Sequence, residues 1–207
     1  MGDRRRPARH RRRTPAAQCP VRATGQPDPM TVTADIAPFA ATRHLLTSAG
    51  LHPLSAGEAA DFGRYCAGID PYRRLGQSEE GLTAYLTRDD PALYRFAIES
   101  NGVTVGVLAI RSPWLRGPFL EMLALRDAAR GRGIAAEAVA WVATEAGRIA
   151  GNLWTTVSDF NTRARAFYRR TGFEPVSTLP GLITPDAGEI LLRRRLPRGG
   201  GGGGARA

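Results

Sequence analysis

The sequence predicts an α/β (α+β) protein, a mixed central β-sheet flanked by helices. Three observations carry that prediction. Helix-capping residues stand ahead of apolar runs with helical spacing, both early and late in the chain. An Asn-Gly pair separates two β-rich runs in the middle, the strongest short-range hairpin signal. A β-rich run, an apolar helix and a second β-rich run then follow one another over 119–158, the pattern of a parallel strand pair with a right-handed crossover.

The elements follow in order. The stretch over 38–49, which holds Phe39, Leu45 and Leu46, reads as a short helix closed by Gly50. Ser55 and Glu58 have capping-box spacing and open a second helix with Ala59, Phe62, Cys66 and Ile69 on one side. Ser78 caps a third, with Leu82, Tyr85 and Leu86 turned inward. LYRFAIES and VTVGVLAI are the hairpin strands around Asn101-Gly102. RSPWLRGPF, 111–119, reads as a Pro/Gly-containing link at the edge of the site, and FLEMLAL, 119–125, as the next strand. A helix from about 133 to 146 places Ile134, Ala138, Trp141 and Glu145 on one face, with Ala135 and Val142 near it. NLWTTVS, 152–158, is a strand. Asn161 is a good N-cap for TRARAFYRRT and Gly172 a good C′ residue. FEPVST and EILLRRR end the fold as two strands joined by a Pro/Gly-rich loop.

The formal charge of +10 is unevenly spread. Residues 1–32 contribute +6 and residues 193–207 contribute +5, leaving about −1 for 33–192. The expected organisation is a disordered Arg/Pro-rich extension over 1–32, one domain over 33–196 and a disordered Gly-rich tail over 197–207. Every cationic side chain is arginine, and Ala, Gly and Pro are abundant, which points to a GC-rich, bacterial coding genome. Met30 precedes the first foldable stretch, so residues 1–29 read as an extension ahead of the true start. Nucleic acid is not expected as a partner, because the near-neutral body offers no basic face. Cys19 and Cys66 give neither a disulfide framework nor zinc spacing, and no metal site is expected. No run has the length of a membrane span, and no signal peptide is visible, so the expected location is the cytoplasm.

The stretch Arg130-Gly131-Arg132-Gly133-Ile134-Ala135 sits between a strand and a helix. The first N–H groups of a helix lack intrahelical partners and carry partial positive charge, so they bind phosphate oxygens. Glycine lets backbone approach a bulky anion, and the arginines add fork-shaped donors. A Walker loop is excluded because the chain contains no lysine, and a dinucleotide fingerprint lacks its third glycine.

These residues resemble the GCN5-related N-acetyltransferase (GNAT) family. Arg130 to Ala135 match its pattern of Gln or Arg, two residues, Gly, one residue, Gly or Ala. A second block, from Asn161 through Phe167-Tyr168 to Gly172-Phe173, is similar to the family's late motif. The resemblance covers roughly 93–194 and implies the GNAT fold, a mixed sheet with splayed parallel strands. It implies that N–H groups from about Arg130 to Ala135 hold the pyrophosphate of coenzyme A. Leu123, Ala124 and Leu125 would pair with the pantetheine arm, and Asn161 would bond to that arm or shape the wedge. A backbone N–H of 123–125 would polarise the thioester carbonyl.

The implied reaction is acetyl transfer from acetyl-CoA to a primary amine of a small molecule or protein, by direct attack in a ternary complex. By the same resemblance Tyr168 is the general acid that protonates the departing sulfur. Glu121, a carboxylate in an otherwise apolar strand, is the candidate base, with Asp159 second. His44 and His52 lie outside the matching region, and His10 is in the tail. Tyr65, Tyr72, Tyr85 and Trp114 are candidates for the acceptor pocket, with a core role as the plainer reading. The alternative function is a catalytically degenerate module that senses acyl-CoA, and a homodimer is left open.

Overall fold

The computed structural model describes residues 37–197. The expectations placed on 1–32, on 198–207 and on Cys19 and His10 fall outside the described residues. The element order is β1 (His44–Leu45), β2 (Gly50–Pro53), α1 (Ala56–Ala67), α2 (Glu79–Thr87), β3 (Leu93–Ser100), β4 (Val103–Trp114), β5 (Gly117–Leu125), a 3₁₀ turn (Asp127–Ala129), α3 (Ile134–Gly147), β6 (Asn152–Ser158), α4 (Thr162–Arg170), β7 (Glu174–Pro180) and β8 (Gly188–Arg195). One eight-stranded sheet runs β1-β2-β3-β4-β5-β6-β8-β7, antiparallel except for the β5–β6 pair. This is the α/β fold with a mixed sheet and helices on its faces that the sequence predicts.

Alternation along the strands builds two cores, one on each face. Leu108, Ile110, Phe96 and Ile98 pack with Ile134, Ala138, Val139 and Val142 of α3 and with Tyr168 of α4. Val107, Ala109 and Met122 pack with Phe62 and Cys66 of α1 and Leu82 and Leu86 of α2. Cys66 is thus a small buried apolar residue, and burial pushes its thiol up to about 12. The capping signals hold. The Ser55 side chain accepts from the Glu58 N–H while Glu58 accepts from the Ser55 N–H, and the Ser78 hydroxyl accepts from the Gly81 N–H at 3.0 Å. Asn101 and Gly102 both take positive φ, 54° and 74°, as a two-residue hairpin with a primed turn requires.

Two expectations are corrected. The stretch over 38–49 is not a helix: Phe39 turns the chain at φ 58°, and His44–Leu45 pairs with Gly50–Leu51 as a small hairpin. Its apolar residues cannot cover a helical face. Phe39 is buried against Tyr94 and Trp141, whereas Leu45 is 82% exposed, and the open edge of β3 takes β2 instead. The 111–119 segment is not a link, since β4 and β5 run through it as a hairpin closed at Leu115-Arg116. On α3, the fully buried face is centred on Ile134, Val139, Val142 and Ala146. Trp141 is only partly buried, and Glu145 pairs with Arg148 at 2.7 Å. At the sheet margin β7 carries Pro175 and Pro180 and is almost wholly exposed.

Candidate active site

Geometry first separates β5 from β6. The two strands pair only at Phe119↔Trp154 and Leu120↔Thr155. Immediately beyond, β5 bulges: Ile110 faces Leu120 and Ala109 faces Met122, which leaves Glu121 without a partner on β4. A bulge bends its strand and ends regular pairing, so β5 leaves β6 and a wedge opens. At the crotch the Thr155 hydroxyl donates to the Leu120 carbonyl at 2.9 Å. Nearby, a Cβ on Gly117 would lie 2.1 Å from the Asn152 carbonyl oxygen, so glycine permits the close approach of the two strand starts.

The wedge continues into a cleft of about 630 Å³. Every catalytic and coenzyme-binding candidate from the sequence lines it, apart from the exposed Arg132 and the second-choice base Asp159. Leu123 to Leu125 form one wall, with β5 backbone no longer occupied by β6. Asn161 lines the opposite side, and its Oδ1 accepts from the Ala164 N–H at 3.1 Å as the cap of α4.

The turn into α3 has the shape an anion needs. Gly131 and Gly133 take φ 76° and 83°, and a Cβ at either would meet nothing within 4 Å. The glycines therefore serve backbone curvature, with open space ahead of them. Among the described residues, the N–H groups from Gly131 to Ala135 find no backbone acceptor and no side-chain cap. They are aimed by the 14-residue α3 behind them. Arg130 differs from expectation in detail. Its N–H donates to Asp127 O, its guanidinium pairs with Asp127 at 2.6 Å, and its Nε donates to Leu125 O at 3.2 Å. It ties the turn to the end of β5, so the open donors begin at Gly131. Two arginines the sequence reading passed over, Arg163 and Arg170 of α4, also line the cleft and add positive charge. This donor set fits a pyrophosphate.

Tyr168 belongs to core and cleft at once. It is 9% exposed, with its ring edge-on to Phe167 at 5.2 Å and to Phe173 at 5.3 Å. It lines the same cleft as Glu121 and the end of β6. Burial raises its pKa, more than the neighbouring Thr155 hydroxyl lowers it, so the phenol keeps its proton in ordinary buffers.

Two carboxylates face the cleft in different settings. Glu121 Oε1 accepts from Arg111 Nε, and Oε2 accepts from Tyr85 at 2.8 Å and from Arg111 Nη2 at 3.3 Å. An ionised carboxylate offers about four acceptor positions, so one remains, on Oε1. Glu189 was missed. It is 3% exposed, opposite Ser158 in the β6–β8 register, and accepts from the Ser158 hydroxyl at 2.5 Å. Burial raises its pKa, Ser158 partly offsets that, and Asp159 nearby raises it further. A lone Glu opening the strand EILLRRR was the available signal. Asp159 is exposed and accepts from the Gly188 N–H at 3.1 Å.

The aromatic candidates separate. Tyr72 lines the cleft, Tyr85 holds Glu121, and Tyr65 donates to Leu125 O at 3.3 Å. Trp114 lies elsewhere, packed on Phe119 and Trp154. His44 stacks near Trp141, and His52 lies 3.5 Å from Glu58, both away from the cleft. No group of three metal-ligating side chains occurs among the described residues. No helix among them is long and apolar enough to cross a membrane.

Comparison with known proteins agrees with this geometry. The model of the acetyltransferase (GNAT) family matches residues 64–173, more than half of the chain. No curated protein sequence matches. Among solved structures, an acetyltransferase from Thermus thermophilus is 22% identical, with 74% of this chain and 100% of that one covered at a TM-score of 0.59. The ribosomal-protein-S18-alanine N-acetyltransferase from Escherichia coli is 18% identical, with 74% and 97% covered and a TM-score of 0.57. A GNAT family acetyltransferase from Elizabethkingia anophelis with acetyl-CoA bound is 18% identical, with 72% and 99% covered and a TM-score of 0.56.

Proposed function

The chain belongs to the GNAT acetyltransferase family, and from that premise we propose that it moves the acetyl group of acetyl-CoA onto a primary amine of a small molecule or protein, by direct attack in a ternary complex. One observation carries the reading: the free N–H groups of Gly131 to Ala135 open onto the same cleft as the β5–β6 wedge and Tyr168. Acetyl-CoA supplies the activated acetyl group.

The residues then divide the work. N–H groups 131–135 hold the pyrophosphate, and Arg163 and Arg170 add to the field around it. The backbone edge of Leu123, Ala124 and Leu125 that β6 leaves open holds the pantetheine arm as an added strand, and Asn161 fixes the other side of the wedge. A backbone N–H of 123–125 polarises the carbonyl. The acceptor enters as an ammonium, drawn by Glu121 and Glu189. Its proton passes to the open position on Glu121, directly or across a water, with Glu189 as a second acceptor in the same cleft. The amine nitrogen forms the new C–N bond as the C–S bond breaks, and Tyr168 gives its proton to the sulfur.

Calorimetry with coenzyme A on the folded chain tests the binding half. Micromolar uptake is expected, weakened at least tenfold by Gly131→Asp, which puts a negative charge into the cradle. Thiol release from acetyl-CoA with an amine panel tests the transfer. Binding without release under every amine would instead identify an acyl-CoA sensor.

A further inference from the structure

A second groove, of about 1050 Å³, lies at the other end of β6 from the cleft. The β4–β5 turn, the α3–β6 connection and the end of β8 form its walls, and four arginines line it: Arg116, Arg148, Arg193 and Arg195. No carboxylate among the described residues does. Arg148 is paired with Glu145 at 2.7 Å, whereas Arg116, Arg193 and Arg195 make no ion pair with a described carboxylate. Arg193 and Arg195, counted with the basic end of the chain when charge is split by sequence position, lie in β8 and so place a local cluster of arginine on the folded domain.

The groove is built, not incidental. Arg116 takes φ 50°, a conformation that usually falls to glycine or asparagine. Two side chains hold it there: Trp154 Nε1 donates to Leu115 O at 2.7 Å, and Asn152 Nδ2 donates to Arg116 O at 3.2 Å. Beside it Trp114 is partly exposed and leans on Phe119, with centroids 4.7 Å apart. The Arg193 guanidinium sits 5.8 Å from the Trp154 ring. Fork-shaped donors suit phosphate oxygens, and flat indole and guanidinium faces suit bases. An acidic peptide would use the charges but not the rings, and a duplex would present no base face.

We propose that this groove binds a single-stranded nucleic acid, with Arg116, Arg193 and Arg195 on consecutive phosphates and Trp114 beneath a base. The groove and the cleft are separated by most of the length of β6, about 15–20 Å at the usual rise per residue. Both can therefore be occupied together, and the proposal stands independently of acetyl transfer.

The test is fluorescence anisotropy of the full chain with labelled ~15-nucleotide single strands, RNA and DNA in separate arms, across a salt series. Both arginine-rich termini stay in place, so their contribution is common to all variants. Replacing Arg116, Arg193 and Arg195 by Ala together is expected to weaken binding at least tenfold and to flatten the salt slope by about 2, at ~0.7 for each phosphate left without its arginine. Replacing the three by Lys should keep the slope. If the Ala variant does not fold, Arg116→Glu on the exposed turn should flatten the slope by about 1. An unchanged slope in the folded Ala variant or in Arg116→Glu overturns the proposal, as does polyglutamate displacing the strand as well as unlabelled strand does, or a duplex binding equally well. A preference between the RNA and DNA arms identifies the source of the strand.

Discussion

Tyr168 shows how one side chain serves two purposes. Its ring fills the space between Phe167 and Phe173, and the residue also lines the cleft into which the β5–β6 wedge opens. Tyr168→Phe is expected to keep the packing and the affinity for coenzyme A while lowering turnover about 100-fold or more; stopped thiol release with normal calorimetry would show it. Because burial raises the phenol's pKa, the rate of the parent enzyme should not fall on the alkaline side until beyond about pH 10. Glu189 allows a second test. Its folded pKa lies above the unfolded value, so the stability linked to it is full below about 4.5 and is lost as pH rises through the folded pKa. Glu189→Gln should therefore gain stability relative to the parent from acid to neutral pH, read by urea melts at several pH values. The Tyr168 position was legible because its motif is short and flanked by recognisable neighbours. Glu189 was not, because its meaning comes from cross-strand pairing with Ser158, which sequence spacing does not encode.

At the scale of elements, local chemistry was the readable part. Ser55, Ser78, Asn101-Gly102 and Asn161 each act on backbone within a few residues, and each does what its residue type dictates. Replacing Ser55 by Ala should cost about 1 kcal/mol in denaturant melts. The segment over 38–49 was misread because its conformation answers to a distant edge, that of β3, and not to its own weak periodicity. The bulge at Glu121 was likewise invisible, since it exists only as a mismatch of register between two strands. Gly117 holds the short parallel contact that this mismatch leaves. Gly117→Ala drives a methyl into the Asn152 carbonyl and should cost about 2–3 kcal/mol, measured by chemical denaturation. Coenzyme A affinity should fall with it, because the wedge is anchored at that contact.

For the molecule as a whole, one sheet is the wall between two cores. Phe62 of α1 and Phe96 of β3 pack on opposite faces of the one sheet, Phe62 against Val107 and Ala109 and Phe96 against α3. Phe62→Ala and Phe96→Ala should each cost about 3–5 kcal/mol and lower the same single transition, with near- and far-ultraviolet dichroism coinciding. Separate transitions would mean that the faces unfold independently. The margins of that sheet have a further consequence. One is a two-residue strand, and the other, β7, carries Pro175 and Pro180, which have no N–H to offer. Neither side gives an incoming chain a ladder to climb. Subunits that associate must do so flank to flank, and concentrated solutions should resist growth into cross-β fibres.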